Sequence, residues 1–469
     1  MPTSGCVYQE MACIGAADKI LTGASVESSH VTYWRFCHMK HTAFALEPVE
    51  SDCTGGTARF GAQNVKFTFQ RQGDLVWHTY AKIYLPGIVL GTTSASSNAP
   101  FSIATGVDAV YWTNAIGQYL LQQVKLCIGG TIIDTLYDTY MFMWEELSGK
   151  PGKRLGEMIG KYDTVLLRQA TSRRSRWLYV PLPFYFTENS GLALPLVSLQ
   201  FHNVMLEISF AQRTNCYVIP SSATQGSGYA VYVRPDGEDG TDAELNTLTS
   251  VPTLLCDTDI KVLIEACYVY LDHDERSKFA HGQFEQIFTE VQQYSMQSSS
   301  TNAVATEATA PTKAQVRLQF NHVVMEYIFA VRSQDKVDDN LHFDFGGYFD
   351  DDAAGGSGLV LDPVLSVEVT FNNSARVQSR PGSFFRLVQP YQHHTNVPRE
   401  FIYVWSYAID PEDAQPTGGA NHSRIDNVNI NLMLDTRIFK NAQTADVLIY
   451  ARNKNLLRFK HGLISKKFG

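Results

Sequence analysis

The sequence predicts an all-β protein of two antiparallel β-sandwich domains in tandem, with short helices in the loops. Three observations carry this. The chain has 469 residues, beyond the roughly 250 to 300 at which one hydrophobic core stops growing. Segments of the first half recur in the second, in the same order and without internal gaps. Strand patterns dominate, and helical ones are scarce.

Val65, Phe67 and Phe69 alternate with Lys66, Thr68 and Gln70, so one face meets a core and the other points outward. Val124-Lys125-Leu126-Cys127-Ile128, followed by Gly129-Gly130, matches Val367-Glu368-Val369-Thr370-Phe371 followed by Asn372-Asn373. Gly and Asn tolerate positive φ, as both central residues of a two-residue hairpin require. From Asp134 to Leu147, residues Leu136, Tyr140, Met143, Trp144 and Leu147 recur at helical spacing before Gly149, which predicts a helix with a glycine stop. The corresponding stretch of the second half holds Pro381-Gly382, then Phe384, Phe385 and Leu387, so that helix should be shorter or irregular.

Tyr179-Val180, Glu188 and Asn203-Val204 return at constant spacing as Tyr403-Val404, Glu412 and Asn427-Val428, and Val262-Leu263-Ile264-Glu265-Ala266 returns as Val447-Leu448-Ile449-Tyr450-Ala451. The spacing falls from 224 residues at Tyr179 to 185 at Val262, so the first copy holds 39 extra residues. Residues 215–257, with Gly226-Ser227-Gly228 and Pro235-Asp236-Gly237, read as that insertion, a long exposed loop. A second loop at 334–362 is rich in Asp and Gly. Val316, Leu318 and Phe320, and again Val428, Ile430, Leu432 and Leu434, show the same alternation as the first strand. Leu199 to Ala211 also resembles Leu318 to Ala330 but breaks the order of the other matches, so these are read as similar strands without equivalent places. The organisation expected is an N-terminal arm at 1–28, a first domain at 29–273, a linker at 274–284 and a second domain at 285–469.

Composition excludes several functions. The formal charge is -9, so the chain lacks the overall basic field that phosphate binding needs, and nucleic acid is not expected as a direct partner. Arg173, Arg174 and Arg176, and the tail bearing Arg452, Lys454, Arg458, Lys460, Lys466 and Lys467, are read as solvated or facing a protein partner. Eight cysteines without a C-x-x-C pair are too dilute for a disulfide framework. No run approaches the roughly 18 apolar residues of a membrane span, and no signal-peptide pattern opens the chain, so no transmembrane insertion is expected. Sequons at Asn372 and Asn421 are read as chance. Charged residues make up 18%, below the usual roughly 25%, which suits a surface packed against neighbours.

Chemistry is hard to find. Metal-binding jelly-roll enzymes use an H-x-H pair on one strand face, and none occurs. His38 and His41 are three apart, and His393 and His394 are adjacent, so on a strand neither pair shares a face. Asp350-Asp351-Asp352 reads as a solvated acidic loop rather than a calcium site. Asp344-Phe345-Gly346 imitates a kinase triplet without its companion motifs. G-x-S-x-G, H-E-x-x-H and the phosphate-loop pattern are absent. No catalytic, cofactor-binding or metal residues are assigned, and no cofactor is expected.

The stretch Tyr403-Val404-Trp405-Ser406-Tyr407-Ala408-Ile409-Asp410-Pro411-Glu412-Asp413-Ala414-Gln415-Pro416-Thr417-Gly418, with Asn421-His422-Ser423-Arg424-Ile425-Asp426, closely resembles the signature of the major capsid proteins of nucleocytoplasmic large DNA viruses. Further likenesses cover most of the chain: Arg35 to Glu47, Gly73-Asp74-Leu75, Leu178 to Phe186 with Gly191 to Pro195, Tyr270-Leu271-Asp272 with Glu275-Arg276, and Asn455-Leu456-Leu457-Arg458 with Gly462. Where that family commonly has Asn-His-Pro and a basic residue, this chain reads Asn321-His322-Val323-Val324-Met325-Glu326.

The resemblance implies a double jelly roll. It implies an icosahedral capsid subunit that forms pseudo-hexagonal homotrimeric capsomers, made and assembled in host cytoplasm and located in the virion. Partners would be the chain itself in trimers and neighbouring capsomers, and minor capsid and penton proteins, with an internal viral membrane reached only indirectly. The arm resembles family arms that lie on the inner side near minor capsid proteins. The rival reading is a carbohydrate-binding or host-attachment protein on the same scaffold, using Trp112, Tyr229 and Tyr232. A metal-dependent jelly-roll enzyme is disfavoured by the missing H-x-H pair.

Overall fold

The protein's computed structural model describes residues 34, 36, 38, 40–91, 110–150, 152–153, 155–221, 231–233, 253–255, 260–299, 312–346, 362–435 and 444–468. By packing, the chain divides into residues 1–43 and residues 44–469, and every named strand lies in the second unit. The arm expected at 1–28 lies outside the described residues.

The first half forms β1 (Phe44–Ser51), β2 (Val65–Thr68), β3 (Leu75–Leu85), β4 (Val89–Gly91), β5 (Tyr111–Trp112), β6 (Leu121–Ile128), β7 (Thr131–Tyr137), β8 (Arg176–Pro181), β9 (Leu194–Pro195), β10 (Val204–Phe210), β11 (Tyr217–Ser221), β12 (Val231–Val233), β13 (Thr253–Leu255) and β14 (Lys261–Leu271). The second half forms β15 (Phe284–Ser299), β16 (Thr312–Leu318), β17 (Val323–Ser333), β18 (Val364–Phe371), β19 (Ser374–Pro381), β20 (Ile402–Ser406), β21 (Ala420–Asn421), β22 (Val428–Leu434), β23 (Thr444–Lys460) and β24 (Leu463–Lys466). One sheet of the first half runs β1-β14-β3-β8 with β9 on β3, and the facing sheet runs β2-β10-β6-β7. The second half repeats both: β15-β23-β17-β20 with β21 on β17, and β16-β22-β18-β19. All these pairings are antiparallel. The chain is a double jelly roll, one strand order written twice.

The hairpins agree in detail. Gly129 and Gly130 have φ of 59° and 83°, and Asn372 and Asn373 have 48° and 63°. The amide of Gly129 donates to the Asn203 carbonyl at 3.1 Å, and that of Asn372 to the Asn427 carbonyl at 2.8 Å. A Cβ at Gly129 would meet the His202 ring at 2.6 Å, so the first copy needs glycine itself where the second accepts asparagine.

One match is a residue out of register. Tyr179 pairs with Lys82 and Ile402 with Ala330, while Lys82 and Ala330 face Leu263 and its repeat Leu448. The structural counterpart of Tyr179 is therefore Ile402 and not Tyr403. The one-residue shift reverses the faces: Tyr403 packs in the second core, whereas Tyr179 is half-buried on the outer surface. The shared Tyr-Val letters misplaced that strand.

The helix expected over 134–147 begins later, at Asp138, and ends at Ser148 before Gly149. Residues 134–137 stay in β7 because they still pair with β6, Asp134 opposite Leu126 and Leu136 opposite Val124. In the second copy, Phe384–Val388 is a π-helical turn continued by the helix Gln389–His393. It is irregular, as expected, and Pro390, which has no N–H to give, stands at the junction after the wide turn.

Both presumed loops are partly structured. In 215–257, Cys216, Tyr217 and Val218 are buried, β11 pairs with β5 and β12, and β13 pairs with β4; 222–230, 234–252 and 256–259 lie outside the described residues. In 334–362, a helix at Gln334–Asp338 leads to Asn340, His342, Phe343 and Phe345, all buried; 347–361, including Asp350 to Asp352, lie outside the described residues. The helix His273–His281 stands between β14 and β15.

Candidate functional site: the seam between the two rolls

In strand pairs with one wet face, burial alternates. The sheet β15-β23-β17-β20 departs from that rule, because from Val324 to Val331 every residue of β17 is buried. Tyr327, Phe329, Val331, Val447 and Ile449 enter the core of the second roll, while Ile328, Ala330, Ile402, Val404, Leu448 and Tyr450 pack into the core of the first. Continuous apolar runs are the local consequence of a sheet covered on both sides. The first roll supplies the cover through β7 and the helix Asp138–Ser148. Tyr140 meets Tyr450 at 5.7 Å between ring centroids, and Phe142 stacks on Phe343 at 4.4 Å.

The segment after β17 completes the cover by inserting into the first roll. Thr113 Oγ1 donates to the Asn340 carbonyl at 2.7 Å, and Asn340 Nδ2 donates to the carbonyls of Thr214 and Tyr217, each at 2.8 Å. The His342 ring stacks on Tyr119 at 3.8 Å, and Lys336 pairs with Asp344 at 2.7 Å. A composition rich in Asp and Gly suggested a loop, but the polar groups of Asn340 and Asp344 find partners within the protein.

A chain of alternating charges crosses this seam. Arg452 of β23 donates through Nη2 to Glu188 at 2.8 Å and through Nη1 to Glu326 of β17 at 3.2 Å and to the Pro411 carbonyl at 2.8 Å. Its guanidinium lies 3.7 Å from the Trp144 ring centroid. His394 Nε2 lies 2.8 Å from Glu326, and its Nδ1 lies 3.0 Å from Glu412. Glu188 and Glu412, matched by the repeat, thus end the same chain of charges from opposite sides. Burial opposes the charge on Arg452, but Tyr140, Glu188 and Glu326 hold its pKa above the usual value. Burial opposes the His394 charge as well, yet Glu326 and Glu412 raise it to about 9. Burial would raise Glu326, but His394 and Arg452 bring it below the ordinary range, whereas on Glu188 burial outweighs Arg452 and the pKa is raised.

Every member of this chain is ion-paired, and the arrangement presents no free nucleophile. Such buried pairs specify one geometry more than they add stability. The available signal in the sequence was a charge inside an apolar strand: Glu326 stands in Val323-Val324-Met325-Glu326-Tyr327-Ile328, and Arg452 follows Val447 to Ala451. Buried charges of this kind must find partners. The basic tail is divided: Arg458, Lys460 and Lys467 are exposed, as expected, whereas Arg452 is buried and Lys454 and Lys466 are half-buried. Arg458 and Lys467 pair with Glu285, and Lys466 pairs with Glu290. Arg176 is half-buried and donates to the Tyr162 hydroxyl at 3.1 Å.

Of the aromatic residues named for a glycan reading, the described side chain is that of Trp112. Trp112 is 2% exposed, with Nε1 donating to the Pro86 carbonyl at 3.1 Å, because β5 sits beneath the helix Val165–Ser172. Tyr229 and the Tyr232 side chain lie outside the described residues.

The raised groups predict a pH dependence. Burial lifts Asp134 to about 7 and Asp138 to about 6, and burial with Asp344 and Glu146 lifts Glu400 to about 7. Each, like His394, keeps its proton longer in the folded chain, so each favours folding at lower pH and loses that contribution as pH rises through its folded value. His394 contributes fully below its ordinary 6.5 and loses the effect as pH approaches about 9, of order 3 kcal/mol in all. Urea unfolding between pH 6.5 and 9 should show stability falling, and His394→Gln should flatten that slope. An unchanged slope in the variant contradicts the charged imidazole.

Residues 275–465 match the family model described as large eukaryotic DNA virus major capsid protein, and residues 32–272 match that of the major capsid protein N-terminus. The major capsid protein of Phaeocystis pouchetii virus is 28% identical, over 97% of this chain and 98% of the relative. That of Paramecium bursaria Chlorella virus 1 is 26% identical, over 97% of each. Among solved structures, a chain of the PBCV-1 virus capsid superposes with a TM-score of 0.68 at 22% identity, over 93% of this chain and 100% of that one. The Faustovirus major capsid protein superposes with a TM-score of 0.64 at 12% identity, over 97% and 98%.

Proposed function

This chain belongs to the major capsid proteins of large eukaryotic DNA viruses and is a structural subunit of the capsid; from that premise we propose that it stands in the shell as a homotrimer with a pseudo-hexagonal outline. The observation that carries the reading is the repeated strand order. Two like rolls in each of three chains turn threefold symmetry into an approximately sixfold outline, which fills a plane without gaps.

In this reading the division is an arm at 1–28, a first roll at 29–273, a linker at 274–284 and a second roll at 285–469. The seam serves as the rigid joint of the tile: a charged network that ties Arg452 and Glu326 of the second roll's sheet to Glu188 of the first roll resists sliding because a shift leaves a buried charge unpaired. Neighbouring capsomers, minor capsid and penton proteins are the other partners, an internal viral membrane is reached only through them, and assembly takes place in host cytoplasm. Catalysis and cofactors have no part in it.

The test is the mass of the purified chain in solution. A stable species at three times 52.4 kDa is expected. A monomer at micromolar concentration contradicts the reading, since permanent interfaces of this class bury on the order of 2,000 Å² or more.

A further inference from the structure

The connection from β7 to β8 is longer than its repeat. Val124 and its counterpart Val367 stand 243 residues apart, whereas Tyr179 and its structural counterpart Ile402 stand 223 apart, so the first roll carries 20 residues here that the second does without. In the second roll one helical stretch, 384–393, fills the connection. In the first, the helix Asp138–Ser148 is followed by two more, Gly156–Ile159 and Val165–Ser172. The last of these lies at the end of β3 away from Leu75, where the Ile88 amide donates to the Ser172 carbonyl at 2.9 Å. The repeat shows that a roll of this kind closes without it.

This helix is inverted. Val165, Leu166 and Leu167 are 45%, 77% and 51% exposed. Helical backbone continues into Arg173, and the Arg174 amide donates to the Thr171 carbonyl at 3.3 Å. With about 3.6 residues per turn, Leu166, Leu167, Ala170, Arg173 and Arg174 therefore share one face, and all five are exposed. The polar side is turned to the protein instead. Ser172 is buried, with Oγ accepting from the Trp112 amide at 3.0 Å and donating to the Arg168 carbonyl at 2.6 Å. Arg168 is half-buried, and its Nε donates to the Tyr162 carbonyl at 2.9 Å. A surface helix of a globular protein lays its apolar stripe on the core. One that offers leucines to water while its hydroxyls are bonded inside is shaped for something that covers it.

We infer that the face Leu166, Leu167, Ala170, Arg173 and Arg174 docks on a lipid bilayer with anionic headgroups, the leucines entering the acyl boundary and the arginines meeting the phosphates. Charge selects the sign of the partner: residues 149–175 hold seven basic residues and two acidic ones, in a chain whose formal charge is -9, and such a local basic field is drawn to an anionic surface. Shape selects the class. Leu166 stands on a crest and not in a hollow, whereas the anchors of protein contacts are seated in pockets. A phosphate backbone would engage the arginines and leave the leucines in water; a bilayer takes both. The helix is already fixed by Ser172 and Arg168, so docking orders little backbone. The contact is interfacial, since no described helix is long and apolar enough to cross a membrane. It goes beyond the shell role and does not depend on the trimer, because one chain carries the whole face.

The test is flotation of the full-length protein with vesicles of phosphatidylcholine, alone or with about one third phosphatidylserine. The protein is expected to float with the anionic vesicles and not with the neutral ones, and to float less in about 0.5 M salt. Leu166→Ser with Leu167→Ser should lower partitioning at least about tenfold, and Arg173→Gln with Arg174→Gln on the order of tenfold. A polarity-sensitive dye on Leu166→Cys protein should shift to the blue when anionic vesicles are added, by comparison with unmodified protein treated in the same way. Should the leucine pair impair folding, the arginine pair and the dye decide. No flotation with anionic vesicles, or equal flotation of all variants, overturns the inference. A dye at position 166 that is blue-shifted before lipid is added overturns it in favour of a second copy over the helix, and retention on an acidic polypeptide without vesicle binding overturns it in favour of a protein partner. A monomer that floats as described supports the bilayer contact and counts against the trimer alone.

Discussion

Replacing Arg452 with methionine is expected to lower the unfolding free energy by about 3–5 kcal/mol, the cost of breaking a buried ion pair from one side. The side chain is 1% exposed and holds Glu326, which is 0% exposed, and Glu188 across the seam. Methionine fills much of the volume under Trp144, so the loss comes from two carboxylates left in a dry interior and not from a cavity. The variant's deficit should shrink as pH falls, because Glu188, which loses its guanidinium partner while Glu326 keeps His394, then takes a proton and gives up its charge. Adding Glu188→Gln should recover part of the loss, and the double-mutant cycle measures the coupling. A cost below about 1 kcal/mol would fit only an exposed pair and would remove the charged chain from any structural role.

The second large effect is expected at Phe343. This residue belongs to the second roll but is buried in the first, stacked on Phe142 and 6.1 Å from the Tyr119 ring centroid. Phe343→Ala should cost about 3–5 kcal/mol, from lost transfer energy and the cavity left in a place held open from both sides. Phe343→Leu should cost clearly less. If the segment after β17 were the wet loop its composition suggests, alanine would change stability by no more than about 0.5 kcal/mol. Equilibrium urea unfolding followed by tryptophan fluorescence decides between these, and the Phe142→Ala, Phe343→Ala pair should be non-additive because both sides of one contact are removed.

Much of the architecture could be read from local letters. Val65, Phe67 and Phe69, and Val316, Leu318 and Phe320, alternate in the sequence and are all buried in the structure. The Gly129-Gly130 and Asn372-Asn373 turns announced themselves by residues that accept positive φ. The repeat pointed to the same strands in both rolls, although at β8 and β20 identical letters on opposite faces misled the register. The start of the Asp138 helix was missed because pairing with β6, a tertiary partner, extends β7 through Tyr137. Residues 340–346 were misread because Asn340, His342 and Asp344 are loop-like in composition, and their partners Thr113, Asn215 and Lys336 are not local signals of burial.

The charged seam was hidden for a related reason. Glu188, Glu326, His394, Glu412 and Arg452 are scattered over more than half of the chain, and no spacing rule joins them. Strand, turn and duplication are properties of a few neighbouring residues, since backbone dihedral preference and side-chain alternation act over a handful of adjacent positions; these the amino acids settled unaided. Which sheet is dry on both faces, which carboxylates share a guanidinium, and which surfaces stay open for another copy depend on what the folded chain lays against them. The same strand order is buried in the second roll and half-wet in the first, so burial is a consequence of the neighbour and not of the strand.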